Sequence, residues 1–117
     1  MGLLKKLRNS YVEWHANRTK LPSVKSSSVV RKKVTFTGKV QRVGFRYETY
    51  CIAQKIGLTG WVRNLEDGSV DAEIQGEELK IDYLIHCMKS LKRASVKNVT
   101  IIDLPVLEGE EEFAILE

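Results

Sequence analysis

The chain is poor in residues that staple a fold or bind a metal. Two cysteines, Cys51 and Cys87, in 117 residues do not make the dense disulfide framework of a small secreted domain. The two histidines, His15 and His86, stand isolated, and neither cysteine has a second Cys or His at ligand spacing, so no metal site is expected. No apolar run approaches the roughly 18 residues that a membrane span needs. The opening Met1-Gly2-Leu3-Leu4-Lys5-Lys6-Leu7 lacks an apolar stretch of signal-peptide length and a small-residue cleavage site. Lys6 stands where N-myristoylation would want Ser or Thr. These absences lead to the expectation of a cytoplasmic protein with reduced thiols and no cofactor.

What is present is the composition of an ordinary globular chain, 43% hydrophobic and 29% charged, which excludes a disordered or collagen-like chain. At this length it is one domain's worth. The net charge of +4 hides an asymmetry. Residues 1–33 hold nine Lys/Arg against Glu13 alone, a balance of +8, while residues 34–117 balance at −4. The pI near 9.1 therefore belongs to the N-terminal segment, and a nucleic-acid function argued from pI would rest on the wrong part of the chain.

The composition shifts near residue 30. Residues 17–28 carry one proline, four serines and no sustained period, and read as a flexible linker. Before them, Leu3, Leu4, Leu7, Tyr11 and Trp14 fall on one face at helical spacing, away from Lys5, Lys6, Arg8 and Glu13. The division expected is an arm and linker over 1–30 and a folded domain over 31–117. The amphipathic arm reads as docking on its own domain or fraying, in preference to the alternative of a membrane-surface or partner-binding helix.

Beyond residue 31 the periods alternate. Val34, Phe36 and Val40 face one way and Thr35, Thr37 and Lys39 the other, which predicts a half-buried strand over 31–40. Phe45, Thr49, Ile52, Ala53 and Ile56 have helical spacing, and Gly57 sits where a helix stop belongs. Residues 58–64 predict a second strand, and Asp67-Gly68 carries a hairpin signal. Val70, Ala72 and Ile74 then alternate with Asp71, Glu73 and Gln75, placing those polar side chains outward on a third strand. Ile81, Leu84, Ile85, Met88 and Leu91 restore a helix; residues 96–104, stopped by Pro105, and 113–116 complete the strands. Two helices with one apolar stripe each must cover one face of the sheet. The architecture expected is an α+β ferredoxin-like split βαβ sandwich with a short C-terminal strand.

One segment stands out. Arg46 falls in the first turn of the predicted helix, where the macrodipole disfavours a cation and free amides point outward. A guanidinium and free amides converging there would make an anion site, with phosphate its natural occupant. The alternative is that Arg46 pairs with a carboxylate such as Glu48. Asn64, taken alone, reads as a turn residue before the hairpin.

The run Gly38-Lys39-Val40-Gln41-Arg42-Val43-Gly44-Phe45-Arg46 resembles the acylphosphatase signature G-x-V-Q-G-V-x-F-R. Residues 57–64, Gly-Leu-Thr-Gly-Trp-Val-Arg-Asn, and the following Asp67-Gly68-Ser69-Val70 resemble the family's second signature and its turn. The resemblance covers roughly residues 32–117. It implies hydrolysis of an acyl phosphate to a carboxylate and inorganic phosphate without a metal. Arg46 and the backbone amides of Gln41, Arg42, Val43 and Gly44 would bind phosphate, and Asn64 would position the attacking water. Elementary chemistry agrees: a carboxylate leaves without a strong general acid, so phosphoryl transfer rests on positioning and charge stabilisation.

Two departures accompany the resemblance. Arg42 replaces a family glycine whose role would be a positive φ or close approach of backbone to phosphate. The Gly-Pro often found after the second helix is absent from Leu91-Lys92-Arg93-Ala94-Ser95, a segment expected to lie away from the site. The competing reading is a catalytically weak acylphosphatase-like module that binds an anion or a protein partner. RNA recognition, which the same fold supports, is disfavoured because the third strand's outward positions are acidic and carry no stacking ring. The partner expected is a small acyl phosphate, met by a monomer.

Overall fold

The computed structural model describes residues 28–117. The amphipathic arm and nearly all of the linker expected over 1–30 lie outside the described residues. The strands are β1 (Val29–Lys39), β2 (Thr59–Asn64), β3 (Val70–Glu77), β4 (Ser95–Leu104) and β5 (Phe113–Ile115); the helices are α1 (Phe45–Lys55) and α2 (Glu78–Lys89). The sheet order is β4-β1-β3-β2-β5. β1 runs antiparallel to β3 and β4, β2 antiparallel to β3, and β5 parallel to β2. This is the expected split βαβ sandwich. β1 starts two residues before the expected Arg31, and α2 starts three before Ile81. Its first turn, Glu78-Leu79-Lys80, has one apolar residue, Leu79, and adds little to the apolar period.

The inward residues are those whose alternation predicted them. Val34, Phe36, Val62, Val70, Ala72 and Ile74 of the sheet are fully covered, and so are Ile81, Leu84 and Met88 of α2. Phe36 and Phe45 meet edge to face with centroids 5.0 Å apart, worth about 1 kcal/mol beyond simple burial. That contact fixes the first residue of α1 on the sheet, and with it the direction in which Arg46 leaves the helix. His86 lies exposed on α2 and Met88 in the core.

The outer face of the sheet corrects the sequence reading. Asp71 and Gln75, expected to face solvent, are buried. Asp71 accepts a bond from Thr35 Oγ1 at 3.0 Å and stands near Lys33 and Arg63. Arg31, itself buried, reaches Glu73, Gln75 and Glu110. Gln75 also exchanges two bonds with the backbone of Leu107. The segment between β4 and β5 thus crosses this face, and the third strand's carboxylates are neutralised instead of forming an open negative surface. Period alone does not reveal a strap contributed by a distant loop.

Two local features set the geometry around the site. α1 ends in a Schellman motif, with the Leu58 amide on the Ala53 carbonyl at 2.8 Å and the Gly57 amide on Gln54 at 3.3 Å. At Gly60 a Cβ would stand 1.9 Å from the Glu73 carbonyl oxygen. Only glycine lets β2 lie this close to β3, bringing Asn64 opposite Val70.

Candidate active site

The first element is the loop between β1 and α1. Arg42 has φ 65° and Gly44 φ 77°, so the chain enters the left-handed region twice within three residues. The expectation that position 42 needs a positive φ is met, here by an arginine. A non-glycine residue there costs about 1–2 kcal/mol. The Arg42 side chain remains exposed, so it does not pack down into the loop. Gly44 is the N-cap of α1 and offers no side-chain cap.

The consequence is a row of free donors. Among the described residues, the amides of Arg42, Val43, Gly44, Phe45 and Arg46 have no protein acceptor. Backbone amides are rarely left so, and here they gather at the positive end of a helix.

Arg46 stands on the first turn of α1. Pairing with Glu48, the alternative left open by the sequence, does not occur: Glu48 binds Arg93, and Arg46 makes one long bond of 3.4 Å to the Leu116 carbonyl. Neither Arg42 nor Arg46 has an ion-pair partner among the described residues. Two uncompensated guanidiniums therefore flank the free amides.

Asn64 closes the opposite side. It ends β2, is half-buried, and its side-chain amide has no protein hydrogen bond among the described residues. Val40, Arg42, Gly44, Phe45, Arg46, Tyr47, Asn64 and Ile115 together enclose a depression of about 170 Å³. Arg42, Gly44, Arg46 and Asn64 thus line one depression. Gln41 and Val43 do not line the depression. The Gln41 side chain instead donates to the Leu65 and Ser69 carbonyls at 2.8 and 2.9 Å, binding the loop to the hairpin that follows Asn64. That hairpin is set by Asp67, whose carboxylate accepts from the Ser69 hydroxyl and amide at 2.6 and 2.9 Å. The hydroxyl bond, then the amide bond, hold its pKa below the ordinary value.

Arg93 was missed. Its segment, expected to lie away from the site, touches the loop: Nε donates to the Val43 carbonyl at 2.6 Å. An arginine in a turn carries no signal of this in sequence; only the missing Gly-Pro marked the position as unusual.

Fold and site define an α/β sandwich in which a helix N-terminus with free amides faces an asparagine across a small depression, an arrangement able to hold a small oxyanion. Comparison with known proteins places the chain in a family. The family model for acylphosphatase matches residues 32–115. The acylphosphatase of Bifidobacterium longum is 42% identical over 84 residues, covering 71% of this chain and 87% of that protein. The acylphosphatase of Acaryochloris marina is 40% identical over 89 residues, covering 76% and 96%. Among solved structures, the crystal structure of acylphosphatase from Bacillus subtilis superposes with a TM-score of 0.71 at 30% identity, covering 77% of this chain and all of that one. The chain belongs to the acylphosphatase family, the hydrolases of small-molecule acyl phosphates.

Proposed function

We propose that Arg46 and the backbone amides of Arg42, Gly44, Phe45 and Arg46 hold the phosphoryl group of the acyl phosphate while Asn64 holds the water that attacks it. Water oxygen adds to phosphorus opposite the acyl oxygen, the phosphorus–oxygen bond to the acyl group breaks, and the carboxylate leaves with that electron pair. Asn64 is neutral and a poor base, so the water's proton passes to a phosphoryl oxygen of the substrate. The loop's task is to stabilise charge on the three phosphoryl oxygens. Arg42 adds a second cation at the rim. The observation that carries this reading is the run of free amides beside an unpaired Arg46, facing Asn64 across one small depression.

The same reading keeps the protein a cytoplasmic monomer with no nucleic-acid partner, consisting of an arm over 1–30 and a catalytic domain over 31–117. A depression of about 170 Å³ suits a small substrate. Among the described residues no helix is long and apolar enough to cross a membrane.

The test is phosphate release from benzoyl phosphate by the wild type, Arg46→Ala and Asn64→Ala. We expect Arg46→Ala to weaken inorganic phosphate as a competitive inhibitor as well as lowering kcat. Asn64→Ala should lower kcat by roughly a hundredfold or more while leaving phosphate affinity nearly unchanged, as loss of a group that acts on water alone requires. Wild-type activity no higher than either variant would overturn the assignment.

A further inference from the structure

Arg93 lies in the turn between α2 and β4 and reaches the loop from outside the depression, which it does not line. Its guanidinium makes two short bonds, Nε to the Val43 carbonyl and Nη2 to Glu48 Oε1, each 2.6 Å. Glu48 is buried on α1, and its own amide donates to the Gly44 carbonyl at 3.0 Å. A Cβ on Gly44 would lie 3.4 Å from Arg93 Nη2, so the guanidinium sits directly behind this residue.

The consequence concerns one peptide unit. In a trans peptide the C=O and N–H point in opposite directions, and no peptide bond here is cis. With the Val43 oxygen drawn toward Arg93, the Gly44 N–H is turned to the other side, where the depression lies. The local sequence does not enforce this. A peptide preceding glycine can rotate by about half a turn at little cost, as the paired type I and type II turns show. The flipped peptide would aim a carbonyl dipole at the phosphoryl oxygens and remove one donor.

We propose that Arg93, held by Glu48, is a positioning residue for acyl phosphate hydrolysis: it locks the Val43–Gly44 peptide so that an N–H, not a C=O, faces the phosphoryl group. The proposal rests on the reading of this loop as the phosphate cradle. Arg93 touches no substrate. Its charge is spent on Glu48, so its effect travels through the peptide it holds.

The probe is inorganic phosphate, followed by competitive inhibition of benzoyl phosphate hydrolysis and by the Gly44 amide resonance in 1H–15N spectra. The proteins are wild type, Arg93→Ala, Arg93→Lys and Glu48→Gln, all full length. In wild type the Gly44 resonance should shift on phosphate addition. In Arg93→Ala that shift should shrink and phosphate affinity fall roughly tenfold, the order for one lost donor to a charged acceptor. Arg93→Lys keeps the charge but lacks the planar fork that bridges Val43 and Glu48, and should stay within about twofold of the alanine variant. Glu48→Gln retains an acceptor oxygen but loses the charge that holds Arg93, and should fall between wild type and Arg93→Ala. Undiminished phosphate affinity in Arg93→Ala overturns the proposal, as does full recovery in Arg93→Lys, which would make charge alone responsible. If wild type binds phosphate but leaves benzoyl phosphate intact, the catalytic reading fails while the resonance and affinity still decide the role of Arg93. A wild type that binds no phosphate overturns both.

Discussion

The Gln41 side chain donates to the Leu65 carbonyl at 2.8 Å, one residue past Asn64, and so links the loop that leads to Arg46 to the strand end that carries Asn64. The second bond, to the Ser69 carbonyl at 2.9 Å, fastens the same nitrogen across the base of the hairpin. This one amide group thus ties the two halves of the site together.

Gln41→Ala should therefore lower kcat by about ten- to a hundredfold, the cost of misplacing reacting groups by about an ångström. The inhibition constant for inorganic phosphate should move by less than about threefold, because every phosphate donor stays on the loop. Gln41→Glu should do worse, since a carboxylate oxygen would face two carbonyls with nothing to donate, and should also lower the melting temperature. Steady-state kinetics and thermal melts on the three proteins check this. A variant that loses phosphate affinity in step with kcat would refute the linking role.

Arg42→Gly separates backbone strain from charge. Arg42 sits at φ 65°, and glycine would relieve about 1–2 kcal/mol while adding about 0.5–1 kcal/mol of unfolded-state entropy. The net expectation is a stabilisation of about 0.5–1 kcal/mol, read by urea unfolding. Phosphate affinity should move the other way, weakening by a few-fold, with the difference from wild type vanishing at high salt because the side chain is exposed. If affinity rises on removing Arg42, the arginine obstructs the cradle and the charge argument fails.

Much of this was written in the pattern of residues. Alternation in β1 and β3 and the helical spacing of Phe45, Thr49, Ile52 and Ala53 gave the sandwich, because burial on one face is a local and periodic property. Arg46 was legible for a similar reason: a cation in a first helical turn violates the dipole rule, and the violation points to a ligand. Asn64 became legible only through the family signature, since an asparagine before an Asp-Gly hairpin looks like turn chemistry. Arg93 and the outer-face network were not legible. Each depends on a contact between segments far apart in the chain, Arg93 with Val43 and Arg31 with Glu110, and no period encodes such pairs.

The surroundings of Cys87 have a consequence for its chemistry. Burial pushes the Cys87 thiol up to about 11, a hydrogen bond with Tyr83 opposing it in part. The thiolate is the reactive form, so Cys87 should be alkylated slowly at pH 8, and its rate should keep climbing with pH until about 11. Mass-spectrometric tracking of iodoacetamide labelling at Cys87 from pH 7 to 11 checks this. A rate that levels off near 9, the ordinary thiol value, would show that burial does not govern this thiol.

The buried arginine of the outer face offers the largest effect on stability. The Arg31 side chain is 2% exposed and meets Glu73 at 3.0 Å and Glu110 at 2.7 Å. Burial works to lower its pKa, but the Glu110 and Glu73 hydrogen bonds outweigh it and leave the group above its ordinary value. Arg31 thus stays charged at any working pH. Removing it leaves Glu73 and Glu110 facing one another with only Gln75 and Thr59, and breaking a buried pair from one side costs about 3–5 kcal/mol. Arg31→Ala should lose that much in urea unfolding. Because Glu110 anchors the segment leading into β5, and Ile115 of β5 lines the active-site depression, limited proteolysis should cut the variant between residues 105 and 112 before the wild type. Replacing Arg31 and both glutamates together, with Met at 31 and Gln at 73 and 110, should recover much of the loss, since no buried charge is then left unpaired. A triple variant no more stable than Arg31→Ala would show that the segment's position depends on the ion pairs themselves.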